Sequence, residues 1–333
     1  MVNARLIFDL EKQGCISQCR VVAVEEDHGK VETKHAYLNI LTRGDLSSLV
    51  WVDSQLKYLR EPSNSILCQV YYAPLNFRDV MLASGKLPAN ALPGDLALQD
   101  CILGLEFSGR LENGQRVMGL VPAKGLATTV AADPMFMWEV PDDWSLEEAS
   151  TVPVAYSTAY YALIMRGHLR KGERVLIHSG TGGVGQAAIA IALSLGCEVF
   201  TTIGVDVILN SLAEEKLRAT LNCLAQHGRF LEIGKYDLSN NTPLDALFEY
   251  KSYSSQAKKE VVQLVRDGIA NGTVKPLNSI LFDRDQAEQA FRFMASGKHI
   301  GKVVLKVAKV FLSDKKINMI KIKSRILSIK FIG

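Results

Sequence analysis

The chain has 333 residues, of which 48% are apolar and 22% are charged, and its formal net charge is +3. This composition predicts a soluble globular protein with enough chain for two domains. The nearly balanced charge excludes the strongly basic class of nucleic-acid-binding proteins and gives no sign of a membrane partner.

The N-terminal residues do not form a secretion signal, because acidic residues interrupt the apolar stretch MVNARLIFDLEK. The longest apolar run, at residues 187–195, is too short to span a bilayer. The six cysteines include no CxxC pair and have no histidine at zinc-finger spacing. We therefore expect a cytoplasmic protein with reduced thiols and without structural zinc.

From Tyr37 to about Val154, short β-like runs such as SILCQVYYAPLN and GLATTVAAD alternate with turns rich in Gly, Pro, Asn and Asp. This alternation of short β-like runs and turns predicts a small barrel-like β domain. Two helices should follow, one with Ser145 as its N-cap and one after Pro153. Two architectures in one chain suggest a substrate domain beside a cofactor domain, with the ligand in the cleft between them.

Residues 174–195 have the pattern of a dinucleotide-binding unit. RVLIH predicts a buried strand, SGTGGVG places Gly180, Gly182 and Gly185 in GxGxxG spacing, and QAAIAIALSL predicts a helix. One glycine makes the tight turn, one lets the backbone approach a pyrophosphate, and one lets the helix pack on the strand. The alternative is a glycine-rich turn that only packs, but the flanking strand and helix favour nucleotide binding.

The joint after this unit breaks a rule of sheet connectivity. The β-like runs EVFTTI (198–203) and VDVILN (205–210) are separated by Gly204 alone, whereas a parallel crossover needs a dozen or more residues. The first run also ends without the acidic residue that selects NAD, because Asp206 belongs to the second run. The sequence therefore favours NADPH over NADH, and the connection at Gly204 puts the completeness of the binding unit in question.

Two single residues could be read as functional. His178 precedes the glycine loop, and we expect a strand-end histidine satisfied by the backbone; a catalytic histidine is the alternative. Lys124 in PAKG could contact a phosphate, but an exposed loop lysine is the preferred interpretation.

Nine segments together resemble the enoyl reductase domain of animal fatty acid synthase, a zinc-independent branch of the medium-chain dehydrogenase/reductase superfamily. They include VYYAPLNFRDVMLASGKL (70–87), LEEASTVPVAYSTAYYAL (146–163), the glycine loop, VDVILNSLAEEKL (205–217) and GKHIGKVVL (297–305). The resemblance covers residues 36–307. It implies an α/β plus β fold, in which a GroES-like β-barrel-type domain carries an inserted, incomplete Rossmann-type doubly wound parallel sheet.

The resemblance also implies domain limits. Residues 1–35 would be the margin of a preceding segment, and residues 36–155 with 276–307 would form the GroES-like substrate domain. Residues 156–275 would form the Rossmann NADP-binding domain, truncated after 204 and near 250. Residues 308–333 form a basic tail that we predict to be disordered, with binding to an anionic membrane as the alternative.

The chemistry implied by the resemblance is NADPH-dependent reduction of the 2,3 double bond of an enoyl thioester on acyl carrier protein. A hydride goes to the β carbon and a proton to the α carbon. Leu105 occupies the position where zinc-dependent relatives carry a histidine ligand, so no zinc is expected. The implied partners are the carrier-bound enoyl substrate and other domains of a multifunctional synthase, with a homodimer weakened by the gap after LFEYKS.

The resemblance assigns thirteen positions to cofactor binding. They are Thr158, Ser179, Gly180, Thr181, Gly182, Gly183, Val184, Gly185, Gln186, Asn210, Ser211, Gly234 and Lys235. Thr158 would face the nicotinamide, the glycine loop would hold the pyrophosphate, and Asn210 with Ser211 would line the nicotinamide ribose. An ordinary helix threonine is the alternative for Thr158, and a turn cap is the alternative for Asn210 and Ser211.

Two further assignments concern the cleft. Gly234 and Lys235 would end a strand at the cofactor edge, although a lysine after a strand is often only solvated. Asn76 and Asp79 would shape the floor of the cleft, and a structural Asx turn is the alternative.

The departures from the family leave three interpretations open. Some 35 residues expected before VDVILN are missing, including the basic residues for the 2′-phosphate and the usual candidates for proton donor, so no catalytic acid is assigned. The chain would be a working enoyl reductase, a non-catalytic truncated remnant of that domain, or a quinone or enone reductase of the same superfamily.

Overall fold

The computed structural model describes residues 30–32, 34–54, 56, 65–87, 101–200, 205–211, 220, 224–233, 255–308 and 318–320. Gly234, Lys235 and the joint at Gly204 lie outside these residues. The described strands form three sheets, one of them parallel. No helix among the described residues is long and apolar enough to cross a membrane.

The largest sheet has seven strands and is mostly antiparallel. Its order is β13 (Ser279–Asp283), β14 (Lys302–Lys306), β4 (Ile66–Leu75), β5 (Glu106–Leu111), β6 (Arg116–Leu120) and β8 (Met137–Glu139), and β7 (Thr129–Ala132) pairs with β4. β14 pairs antiparallel with β4, so the C-terminal part of the chain returns to the N-terminal sheet. The runs that predicted the β domain thus form strands of one sheet.

A four-stranded sheet covers one end of the β domain. It contains β1 (Lys30–Glu32), β15 (Asn318–Ile320), β3 (Leu49–Asp53) and β2 (Ala36–Ile40), in that order. β15 lies in the tail that the sequence predicts to be disordered, so this prediction does not hold for these three residues. β15 lies between β1 and β3 and pairs with both, so partners from distant segments supply the hydrogen bonds of this strand.

Six α-helices are described. They are α1 (Phe77–Ala83), α2 (Leu146–Ser150), α3 (Pro153–Tyr160), α4 (Gly183–Ser194), α5 (Ser255–Ala270) and α6 (Ala287–Ala295), and α3 continues as a π-helical turn over Tyr161–Arg166. The predicted cap is confirmed, because Ser145 Oγ accepts the Glu148 N–H at 3.1 Å. Pro153 is the first residue of α3, as predicted.

The parallel sheet has the order β10 (Glu198–Phe200), β9 (Arg174–Ile177), β11 (Val205–Asn210) and β12 (Leu224–Glu232). In a doubly wound sheet with the order 3-2-1-4-5-6, these strands correspond to 2, 1, 4 and 5. Among the described residues, the outer strand on each side therefore has no counterpart. This agrees with the prediction of an incomplete Rossmann-type sheet.

β10 and β11 lie on the two sides of β9, and both run parallel to it. The residues between them, 201–204, lie outside the described part of the chain, so the expectation about the joint at Gly204 stays a prediction.

Apolar packing joins the parallel sheet to the β domain. One apolar core lies within the β domain and includes Leu38, Phe107 and Phe291. A second core contains residues from both parts of the chain, among them Trp138 of β8 and Val175 of β9. The helix α3 contributes to this second core and packs on α4, so it connects the two sheets.

Asp79 lies in the first turn of α1 and is fully buried. Its carboxylate accepts the N–H groups of Asn76 at 2.8 Å and Gly104 at 2.9 Å. Burial raises the pKa of Asp79, while the nearby Arg78 charge and these two N–H donors oppose that rise. Each carboxylate oxygen of Asp79 therefore serves as the acceptor of one backbone N–H group.

We expect Asp79→Asn to lower the free energy of unfolding by about 2 kcal/mol, because the amide group turns a donor towards one of the two backbone N–H groups. Urea denaturation followed by circular dichroism measures this change. The control is Asp45→Asn, at an exposed N-cap where Asn and Asp are equivalent. Equal stability losses in the two variants would contradict the assigned role of Asp79.

Candidate cofactor site

The glycine loop connects β9 to α4 at the carboxyl edge of the parallel sheet. The Gly182 N–H donates to the Ser179 carbonyl at 2.9 Å and closes the turn. Ser179 adopts a left-handed backbone conformation with φ +54°. The first helical bond of α4 runs from the Gln186 N–H to the Gly182 carbonyl at 2.9 Å. The loop therefore has the strand, turn and helix predicted from the sequence.

An added side chain would meet different surroundings at Gly182, Gly183 and Gly185. A Cβ on Gly185 would lie 2.3 Å from the Ser179 carbonyl oxygen and 2.7 Å from Gly180 Cα, so α4 packs directly on the turn. A Cβ on Gly183 would lie 2.7 Å from Cδ of Lys302. A Cβ on Gly182 would meet nothing closer than 3.4 Å, so this position is open on the protein side.

The N-terminus of α4 suits an anionic group. The first N–H groups of a helix have no partner within the helix, and the helix dipole adds a partial positive charge. The first turn of α4 contains no acidic residue. Gln186 Nε2 donates to the Thr181 carbonyl at 2.8 Å and holds this end of the loop. The residues present therefore fit a dinucleotide pyrophosphate.

A hydrogen-bonded chain lies beneath the loop. Asn210, at the end of β11, is fully buried. Its Nδ2 donates to Glu232 Oε2 at 2.5 Å, and its Oδ1 lies 2.8 Å from His178 Nδ1. Because the amide must turn its NH₂ group to the carboxylate, Oδ1 faces the imidazole and His178 Nδ1 carries the proton. His178 Nε2 lies 3.4 Å from Thr220 Oγ1.

This chain changes two expectations. The sequence predicts that the backbone satisfies His178, but its ring bonds to side chains from two other segments; its backbone N–H donates to the Leu209 carbonyl. The family resemblance assigns Asn210 to the ribose, yet its amide is buried and occupied by His178 and Glu232. Ser211 is partly exposed, and its Oγ lies 2.9 Å from Ser179 Oγ.

The remaining predicted residues are dispersed. Thr158 is half-buried on α3. Asp206 lies in β11 as predicted, where its carboxylate accepts the Arg174 N–H at 2.9 Å; this bond lowers its pKa. Lys124 differs from the expected exposed lysine, because it is half-buried with Nζ 4.9 Å from the centroid of the Tyr37 ring.

A polar cluster of Asn76, Glu106 and Lys302 lies between the β domain and the loop. Lys302 Nζ is 2.7 Å from Glu106 Oε1 and 2.9 Å from Asn76 Oδ1, and Asn76 Nδ2 donates to Glu106 Oε1 at 2.9 Å. Glu106 Oε2 accepts the Val154 N–H at 2.8 Å. Asn76 is also the N-cap of α1, where Asp79 accepts its N–H at 2.8 Å, so the structural alternative gains support and its place in a cleft floor stays a prediction.

The sequence reasoning missed Glu106 and Lys302. Both side chains are buried, at 0% and 6% exposure. The available signal was one charged residue next to apolar residues in each of the segments LGLEFSG and GKVVL, since charges at such positions are rarely buried without a partner.

The described residues contain no group of three or more His, Cys, Asp or Glu side chains arranged to hold a metal ion. Leu105 is buried and belongs to the second apolar core. The side chain at this position therefore offers packing and no ligand atom.

An apolar cavity lies beside α3. It is lined by residues of the β domain, including Leu120 and Phe136, and by Val261 and Val262 of α5. Ser157 also lines it, and its buried Oγ has no hydrogen-bond partner within the part of the chain that the structure describes. The lining of the cavity is mostly apolar, with the Ser157 hydroxyl as a hydrogen-bond donor.

Comparison with known sequences gives a consistent picture. Residues 197–305 match a family profile described as zinc-binding dehydrogenase. The compactin diketide synthase of Penicillium citrinum is 35% identical over 331 residues, covering 81% of this chain and 13% of that protein. A highly reducing polyketide synthase of Aureobasidium melanogenum is 32% identical over 325 residues, covering 80% and 14%. The chain thus spans about one-seventh of the length of these relatives.

The first of these alignments also contains gaps. Its 331 positions use only 81% of the 333-residue chain, about 270 residues, so about 60 positions of the relative have no counterpart here. This difference agrees with the prediction that internal segments are missing.

Solved structures resemble the chain over most of its length. The CurK enoyl reductase has a TM-score of 0.71 and 27% identity, covering 82% of this chain and 99% of that one. The quinone oxidoreductase of Thermus thermophilus, which was also solved in complex with NADPH, has a TM-score of 0.62 and 26% identity, covering 82% and 100%.

Proposed function

We propose that this chain, which has the fold of the medium-chain dehydrogenases/reductases, is an NADPH-dependent enoyl reductase domain of a carrier-based synthase. The reaction is reduction of the 2,3 double bond of an enoyl thioester. The observation that carries the proposal is the glycine loop at the start of α4, which Lys302 of the polar cluster contacts at Gly183.

In this proposal, bound NADPH supplies the hydride that the β carbon receives. The N–H groups at the start of α4 bind the pyrophosphate, and Ser179 and Ser211 contact the cofactor at the edge of the sheet. Thr158, Gly234 and Lys235 complete the nicotinamide side. Asn210 acts indirectly, because its amide group holds the side chains of His178 and Glu232 in place. No described residue is assigned as the proton donor.

The synthase is of the reducing polyketide or fatty acid type. The names of the curated relatives support a polyketide synthase, and the segments quoted from the sequence support a fatty acid synthase. Both types present the enoyl chain as a thioester on acyl carrier protein, so the substrate class is the same. The apolar cavity beside α3 is a candidate site for the acyl chain.

A second candidate is a non-catalytic remnant of such a domain. The incomplete parallel sheet favours it, since the described residues include only four of the six strands of a doubly wound sheet. A quinone or enone reductase is a third candidate, supported by the likeness to the Thermus enzyme.

Purified protein with crotonyl thioester is expected to consume NADPH, at a rate that exceeds its rate with a free quinone. The measurement is NADPH absorbance, and Gly185→Ala is the matched inactive variant because its added Cβ overlaps the loop backbone. A higher rate with the quinone would select the third candidate. If the protein unfolds cooperatively but shows no turnover and no NADPH binding, the result would select the second candidate, the non-catalytic remnant.

A further inference from the structure

Lys302, the first residue of β14, contacts the glycine loop directly. A Cβ added to Gly183 would lie 2.7 Å from Cδ and 3.3 Å from Cγ of Lys302, so the aliphatic part of the lysine covers the first residue of α4. Gly301, the residue before Lys302, adds a backbone hydrogen bond, in which its N–H donates to the Thr181 carbonyl at 2.8 Å. Gly182 and Gly301 also pair as an isolated parallel bridge.

The loop is therefore held from two sides. On the inner side, α4 packs on the turn through Gly185. On the outer side, two consecutive residues of the β domain, Gly301 and Lys302, contact the three consecutive loop residues 181–183. Only the outer contact depends on a distant part of the chain.

The ammonium group holds this contact in place. A lysine side chain has four rotatable torsions, and its conformational entropy favours movement unless its end is anchored. Glu106 and Asn76 anchor the end of Lys302, and Glu106 is itself held by the Val154 N–H. The stem of Lys302 therefore presents a fixed surface to Gly183.

Stability alone is a poor explanation for this buried pair. Apolar side chains of similar volume often stabilise a core as well as a buried ion pair does, because both charges lose their hydration. What the pair adds is a defined geometry between α1, β5, α3 and β14, which meet at the polar cluster.

We propose that Lys302 is a positioning residue for the cofactor, and that its anchored side chain fixes residues 181–183 so that the first N–H groups of α4 point at the pyrophosphate. The identity of the ligand rests on the proposed function. The effect on the loop does not, because it exists in the protein without cofactor.

The test uses two variants of the full chain. Lys302→Met keeps an unbranched apolar stem and removes the ammonium, and the double variant K302M/E106Q also removes the buried charge left behind. We expect K302M to lower the thermal midpoint and the double variant to recover much of it. In both, amide hydrogens of residues 179–186 should exchange about tenfold faster, and NADPH should bind about tenfold more weakly.

Arg229→Met is the matched control. It breaks the ion pair with Glu173 at the opposite, amino edge of the same sheet. It should lower the thermal midpoint while leaving exchange in residues 179–186 and NADPH affinity unchanged. If the double variant has wild-type exchange in this segment, Lys302 is only a structural contact and the proposal is wrong.

Gly183→Ala disturbs the contact between Gly183 and Lys302 from the loop side and keeps every charge. This variant therefore tests the proposal if the Lys302 variants do not fold. Faster exchange and weaker NADPH binding are expected, and wild-type values would overturn the proposal. If the wild-type protein binds no NADPH, the proposed function fails, whereas the exchange measurements still decide the role of Lys302.

Discussion

Gly185→Ala is expected to abolish tight NADPH binding and to destabilise the protein. The added Cβ would lie 2.3 Å from the Ser179 carbonyl oxygen and 2.7 Å from Gly180 Cα, and both are backbone atoms that no side-chain rotation can move. Forcing a methyl group into packed backbone costs about 3 kcal/mol. The displaced loop would misdirect the N–H groups of α4, so we expect the NADPH dissociation constant to rise by about a factor of 100.

Gly182→Ala is the control for this prediction. Its Cβ has no protein atom closer than 3.4 Å, so the thermal midpoint should stay near that of the wild type. NADPH binding should still weaken, because a methyl group at this position occupies the space that the pyrophosphate approaches. Calorimetric titration with NADPH and thermal unfolding separate the two effects. Equal losses of stability in G182A and G185A would contradict the steric roles assigned to the two glycines.

Glu106→Ala is expected to lower the free energy of unfolding by about 3–5 kcal/mol, which is the usual cost of leaving one partner of a buried ion pair uncompensated. Lys302 would keep only Asn76 as a hydrogen-bond partner within the cluster, and the Val154 N–H at the start of α3 would lose its acceptor. Since native domains are stable by only about 5–15 kcal/mol, this variant should unfold at markedly lower urea concentration.

Glu147→Ala is the comparison for Glu106. Glu147 is half-buried on α2, and its Oε1 accepts a hydrogen bond from Ser279 Oγ at 3.2 Å. We expect this change to cost no more than about 1 kcal/mol. A Glu106 variant that is as stable as the Glu147 variant would show that the polar cluster does not hold the two parts of the chain together.

Local patterns predicted the local elements well. The Ser145 cap, the start of α3 at Pro153 and the strand, turn and helix around Gly182 all follow from interactions within a few residues of each other. Such interactions depend on the type and spacing of neighbouring side chains, which a sequence displays directly.

Side-chain roles that depend on a second segment were predicted less well. His178 and Asn210 are separate candidates in the sequence, although they meet across neighbouring strands. The registers of β10 and β11 against β9 likewise become visible only in the folded chain. Register is set by packing across the sheet, and no local pattern records it.

The sequence by itself determined the dinucleotide-binding unit, the β domain before it and the shortened sheet after it, because periodicity, turn residues and the glycine spacing are local properties. The tertiary structure alone decided what surrounds the loop. Lys302 lies 119 positions after Gly183, yet its stem covers that glycine and its ammonium bonds to Glu106 and Asn76. Burial forces each of these charges to find a partner, and only the folding of β14 back onto β4 brings that partner within reach.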